Sequence, residues 1–169
     1  MPLPPPNHVP APSKPPPSTG AFQTRVRYCE CDPMGVAHHA SYIPWLEIGR
    51  TELLRQTGVS YAHLEAAGVF LVITRLEVRY RRPIFYDDVV EVRTRVTGGS
   101  RVKIEHAYEL VLVEDGGHGK KQTVHPSDIP PSPVRPIGES LAIASTQLAC
   151  VGSDGRIQPL PDWLVASTA

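Results

Sequence analysis

Cys31-Asp-Pro-Met-Gly-Val-Ala-His-His-Ala-Ser-Tyr42, together with the segment that follows it, decides how this chain is read. Asp32 is a lone carboxylate in a Pro/Gly turn. Just beyond it Tyr42, Leu46, Gly49 and Leu53 fall at helical spacing, with Ile43 and Leu54 beside them and Glu47, Arg50, Glu52 and Arg55 mostly off the stripe. The spacing predicts a helix over about 41–57, with Ser41 as N-cap, Pro44 in the first turn and Gly58 as the stop. The first backbone N–H groups of a helix lack intrahelical acceptors and carry partial positive charge. They can hold a carbonyl oxygen as it becomes an oxyanion, while a nearby carboxylate attacks the same carbon or activates a water. Gly49 lowers helix propensity by about 1 kcal/mol relative to Ala, so a helix that keeps it is expected to need close approach to a sheet.

Outward from that stretch, the pattern becomes two-residue alternation. Ala21–Tyr28 places Phe22, Thr24, Val26 and Tyr28 on one side. Leu71–Arg82, Val89–Thr97, Arg101–Glu114 and about Ser140–Val151 follow as four further strands. Ser60–Ala67 reads as a short second helix, Gly98-Gly99 as a tight hairpin turn and Leu160–Val165 as a closing helical turn. Hairpins in series give an antiparallel sheet, and one apolar-striped helix has a face of that sheet to cover. The fold class is α+β in the order β-α-β-β-β-β. One uncovered sheet face and free edges favour a dimer.

The 169 residues suffice for one domain, 21–169, preceded by a Pro-rich tail, 1–20, read as disordered or polyproline II. Asp115–Gly138, rich in Gly and Pro, is longer than ordinary connections and reads as a mobile insertion at about 115–138. Lys+Arg 17 against Asp+Glu 17 leaves no net charge, which argues against bulk nucleic-acid binding. No apolar run is long enough to span a bilayer, no secretory pattern opens the chain, and three sparse cysteines make no disulfide framework. The expectation is a cytoplasmic protein. Cys29, Cys31, Asp32, His38 and His39 match no standard metal-ligand spacing, so neither metal nor cofactor is expected.

Arg27-Tyr-Cys-Glu-Cys-Asp-Pro-Met-Gly-Val-Ala-His-His-Ala-Ser-Tyr42 resembles the signature of the 4-hydroxybenzoyl-CoA thioesterase/YbgC family, roughly Asp-x-x-Gly-x-x-x-His/Tyr-x-x-Tyr. The likeness continues through Leu46–Leu54 and Val78–Asp88 and ends near Leu160-Pro-Asp-Trp163. It implies the hot-dog fold, a five-stranded antiparallel sheet wrapped around one long helix. It also implies a homodimer or tetramer with active sites at the subunit interface, and metal-free hydrolysis of an acyl-CoA substrate. Position by position, the resemblance makes Asp32 the catalytic carboxylate and the backbone N–H of His39 the oxyanion donor. Tyr42, Gly35, Val36 and Thr74 fall among the substrate-binding positions. Ser100, Arg101 and Lys103 stand where the family holds CoA phosphates, with a sparser basic cluster. Two other readings stay open: a hot-dog hydratase or dehydratase using His39, and a non-catalytic acyl-CoA-binding scaffold with the proline tail as its interaction element.

Overall fold

The computed structural model describes residues 9–117 and 135–165. Five strands form one antiparallel sheet: β1 (Thr19–Arg25), β2 (Phe70–Tyr80), β3 (Val89–Ser100), β4 (Lys103–Glu114) and β5 (Ser140–Val151), in the spatial order β1-β3-β4-β5-β2. The helices are α1 (Tyr42–Arg55), α2 (Tyr61–Ala66) and α3 (Asp162–Val165). Consecutive strands β1 and β2 are the two opposite edges. The chain between them must cross the whole sheet, and α1 makes that crossing over β3 and β1.

The helical stripe accounts for the placement. Tyr42, Trp45, Leu46, Gly49 and Leu53 are the buried residues of α1. They meet the inward side chains of the strands, among them Val90 and Val92 of β3 and Leu110 and Leu112 of β4. Trp45, outside the stripe read from the sequence, is 1% exposed. Full burial of each large aliphatic side chain stabilises by ~1.5–3 kcal/mol. A second cluster, built from Val59, Leu64, Ile104, Leu148 and Leu160, closes the end of the sheet beyond the C-terminus of α1.

Gly49 does sit against the sheet: a Cβ there would overlap Thr94 Oγ1 on β3. Gly49→Ala is therefore expected to lose about 1–3 kcal/mol by overpacking despite its better helix propensity. Thr94→Ala in the same chain should restore most of it, because the two side chains share one space. Urea midpoints of the single and double variants check this.

Several local expectations change. Gly98-Gly99 is not the hairpin turn. The glycines lie inside β3, where the register slips between Val96 and Gly98, and the turn is Arg101-Val102, with the Val102 N–H donating to Ser100 Oγ at 3.3 Å. Glycine there accommodates an irregular strand rather than ending it. Tyr28 leaves the strand face for a 3-10 turn over Tyr28–Glu30 and is 82% exposed. Helix α1 is preceded by a 3-10 turn, His39–Ser41. Its N-cap is His38, whose Nδ1 accepts from the Ala40 N–H at 3.2 Å, whereas Ser41 makes no side-chain cap.

The sheet begins at Thr19, and residues counted with the proline tail also contact the domain. The Ser13 N–H and Oγ both donate to Thr57 O, at 2.8 and 3.0 Å, and Pro16 and Pro17 cover the C-terminal half of α1. Most of the expected insertion, residues 118–134, lies outside the described residues, as do residues 1–8 of the tail. Its two flanks are held together. Asp88, fully buried, accepts from the Gly116 N–H at 3.0 Å and pairs with Arg135 Nη1 at 2.7 Å. No described helix is long and apolar enough to cross a membrane.

Candidate active site

The loop between β1 and α1 is shaped by its own residues. The Gly35 N–H donates to Asp32 O at 2.9 Å and the Met34 N–H to Asp32 Oδ1 at 2.8 Å, so Asp32 caps its own turn. Gly35 sits at φ 78°, which a residue with a Cβ adopts only with strain. Antiparallel bridges then pin the loop: Cys31 to Ala37, and Val36 to Phe85, with the Ala37 N–H donating to Ile84 O at 2.7 Å. The result faces Asp32 toward the start of the helical segment.

Asp32, Val36, His39 and Tyr42 line one pocket of about 340 Å³, together with Tyr80, Arg81, Pro83 and Ile84. The Asp32 carboxylate makes no ion pair among the described residues, and its Oδ2 accepts no hydrogen bond there. The His39 backbone N–H opens the 3-10 turn and likewise has no acceptor among the described residues. Asp32 and His39, each with a polar atom that has no hydrogen-bond partner among the described residues, thus line one pocket. The His39 ring stacks on His38 at 3.9 Å between centroids, and His39 O accepts from Tyr80 OH at 3.1 Å. Tyr42 packs edge-on against Tyr80 at 4.9 Å. Burial, with a smaller push from Tyr80, drives the Tyr42 phenol up to about 12, so it stays protonated at neutral pH.

Glu30 was not singled out by the sequence reading, yet it ties the loop to the helix. Its side chain accepts from the Arg27 N–H at 2.8 Å, Arg27 Nη2 at 2.7 Å and Trp45 Nε1 at 3.0 Å. Its carbonyl accepts from the His38 N–H and Ser41 Oγ, both at 2.8 Å. Burial pushes its carboxyl up, but the Arg27 and Trp45 hydrogen bonds together outweigh it and hold the group below the usual carboxylate range. The unfolded chain then takes up this proton before the folded one does, and stability falls as pH drops below about 4.5 toward the folded value. Glu30→Gln is expected to flatten that acid limb in urea titrations at successive pH values. An unchanged limb would remove Glu30 from the account. Two of these bonds come from Arg27, three residues back, and the third from Trp45 on α1, so the loop-to-helix tie is visible only once the helix is in place.

The other sequence candidates are elsewhere. Gly35 shapes the turn without lining the pocket. Thr74 lies at a register slip on the β2 edge, its Oγ1 donating to Gln147 O at 3.1 Å. Ser100, Arg101 and Lys103 sit at the β3–β4 turn. Tyr80 pairs with Ala142 and Lys103 with Ala149, which at ~3.3 Å per residue puts that turn roughly 23 Å along the sheet from the Asp32 end. Among the described residues no group of three or more His, Cys, Asp or Glu is placed to hold a metal ion.

Residues 26–167 match the family model of the thioesterase-like superfamily. The chain belongs to this superfamily. It is 34% identical over 94 residues to the acyl-CoA thioester hydrolase YbgC of Escherichia coli O6:H1, covering 56% of this chain and 70% of YbgC. It is 32% identical over 88 residues to YneP of Bacillus subtilis, whose acyl-CoA thioesterase name is provisional. That alignment covers 52% of this chain and 64% of YneP, so under two thirds of the relative is spanned. The crystal structure of a DHNA-CoA thioesterase from Staphylococcus aureus superposes with a TM-score of 0.65 at 29% identity, over 84% of this chain and 79% of that one. The sheet order and the crossing helix are those of the hot-dog fold, as the resemblance implied. The superfamily match takes in the loop, α1 and all strands after β1.

Proposed function

We propose that this thioesterase-like protein is an acyl-CoA thioesterase that uses Asp32 and the His39 amide. What supports the reading is that Asp32 and His39 line one pocket, and that Asp32 Oδ2 and the His39 N–H have no hydrogen-bond partner among the described residues. The thioester carbonyl oxygen would accept from the His39 N–H. One such donor is typically worth about 2.7–4 kcal/mol in the transition state. Asp32 Oδ2 then attacks the carbonyl carbon, the C–S bond breaks, and CoA leaves as a thiolate that takes a proton from solvent. Water opens the resulting mixed anhydride to regenerate the carboxylate. In the general-base version Asp32 takes a proton from a water that attacks instead, and the products are the same. His39 makes no hydrogen bond to Asp32, so the side-chain pair that a hydratase would use is not assembled. Release of free CoA from a panel of acyl-CoA esters tests the proposal. No release from any of them, by protein that is folded, sinks it.

The distance from Asp32 to the Ser100–Lys103 turn supports a homo-oligomer. Among the described residues the β2 edge is unpaired, and it exposes Val72, Ile73 and Leu76. Antiparallel pairing of two β2 edges would set the Tyr80 end of one copy beside the Phe70 end of the other. The partner's Arg101 and Lys103 would then approach the first copy's Asp32 pocket as contacts for CoA phosphates. Ile73→Lys with Leu76→Lys is expected to yield monomers in sedimentation velocity and to weaken CoA-ester binding. A variant that sediments as wild type moves the interface elsewhere.

A further inference from the structure

A second cavity lies under the C-terminal half of α1 and shares no lining residue with the Asp32 pocket. Its walls are Leu53, Leu54, Leu71, Ile104 and Leu164, and Pro16-Pro17 close one side. Into this apolar space α1 carries Arg50, whose side chain is 10% exposed. Its Nη2 donates to Glu47 Oε2 at 3.0 Å near the surface, and the guanidinium lies close enough to the Tyr108 hydroxyl to favour its ionised form. Nε and Nη1 are buried without a hydrogen-bond partner. His106, on β4, is 5% exposed, lines the same cavity and has a buried, unpartnered Nδ1.

Unused donors in the interior are rare because each costs about 1–3 kcal/mol, and more when charged. Here three such atoms come from two elements, α1 and β4, that enclose one space. The remaining titratable groups around it are already engaged. Tyr61 OH donates to Leu71 O at 2.8 Å, and Tyr108 OH is bonded to Thr146 Oγ1 at 2.9 Å. Burial, and then the Arg50 charge, push the His106 imidazole down to about 4, so it is neutral at pH 7. A neutral imidazole with its proton on Nδ1 supplies a donor beside the guanidinium. The chemistry on offer is one cation, two kinds of N–H donor and an aliphatic wall.

We propose that this cavity binds a small aliphatic monocarboxylate of two to four carbons, its carboxylate on Arg50 and His106 and its hydrocarbon end against the leucine wall. The volume sets the size. A cavity of about 40 Å³, at roughly 10–15 Å³ for each water, has room for about three waters, which at about 30 Å³ of liquid volume each is the bulk of a short acid and far less than a nucleotide. The ligand is therefore a free acid and not a CoA ester. Such an acid is the chemical class that thioester hydrolysis releases, but the site is assigned from Arg50 and His106 and stands without that activity.

The test uses the full chain with ring-¹⁵N-labelled histidine, titrated with sodium acetate, propionate and butyrate against sodium chloride at equal ionic strength. A saturable shift of the His106 ring nitrogens with the acids, absent with chloride, is expected. The Asp32→Asn chain should respond equally, and excess CoA should not reverse the shift. Arg50→Met should abolish it. If that variant does not fold, Arg50→Lys should weaken it roughly tenfold or more, the loss of about one charge-assisted hydrogen bond. A response no larger than chloride's means that the cavity holds water only and overturns the proposal. So does displacement by CoA, which would put the acid in the Asp32 pocket, and so does wild-type affinity in an Arg50 variant.

Discussion

Asp32→Asn is expected to lower acyl-CoA hydrolysis by roughly 10³- to 10⁶-fold, the range seen when a nucleophile or its base is removed from an otherwise intact site. The substitution isolates chemistry from architecture. The structural duty of Asp32 is to accept the Met34 N–H through Oδ1 and to hold the turn through its carbonyl, and an Asn side-chain oxygen does both. What Asn lacks is the second carboxylate oxygen, the one without a partner among the described residues. The urea midpoint and CoA-ester affinity should therefore stay near wild type while CoA release collapses. Turnover within tenfold of wild type would show that the carboxylate is a turn residue and nothing more. An accompanying loss of stability would show that the turn depends on its charge.

The largest loss of stability is expected at Arg135→Met. Asp88 is 0% exposed, and its carboxylate is held by Arg135 Nη1 at 2.7 Å and by the Phe85 and Gly116 N–H groups at 2.8 and 3.0 Å. Removing one partner of a buried ion pair leaves an uncompensated charge and costs about 3–5 kcal/mol. That is a large share of the ~5–15 kcal/mol that holds a domain together. Arg135 also lies over the Phe85 ring at 4.9 Å and donates to Pro83 O at 3.0 Å. Pro83 lines the Asp32 pocket, and Phe85 is bridged to Val36. The loss should thus appear at the site as well, as a rise in KM for acyl-CoA. Asp88→Asn combined with Arg135→Met should recover much of the stability, because the buried charge is then gone. A urea midpoint within about 0.5 kcal/mol of wild type, the range of ordinary surface changes, would show that the pair is not a clamp.

Much of this molecule was readable because its elements announce themselves locally. Strand β5 has the bounds expected of it, Ser140–Val151, and α1 falls inside the expected span of about 41–57. Gly49 faces Thr94 for the reason its presence in a helix suggested. The failures share a cause too. Gly98-Gly99 looks like a hairpin turn in isolation, but the pairing of β3 with β4 runs past it. Tyr28 continues a two-residue rhythm that the chain abandons at Val26, because Val26 is the last position tied to the Asp87-Asp88 segment. Glu30 and Arg135 carry no periodic signal: Glu30 is set by the way its loop folds back on the start of α1, and Arg135 by partners from a distant segment.

The sequence by itself determined which faces are apolar, where the chain turns and that Asp32 stands in a turn just ahead of a helix. These are properties of neighbours along the chain, fixed by a period of two or 3.6 and by the backbone freedom of Gly and Pro. Only the tertiary structure decided that β1 and β2 are opposite edges, that Tyr80 and Pro83 wall the Asp32 pocket, and that Arg50 and His106 meet in an apolar cavity. Those outcomes depend on register between strands remote in sequence. Burying side chains rewards any pairing that hides the apolar face, and the choice among such pairings is made only when the whole sheet closes around the helix.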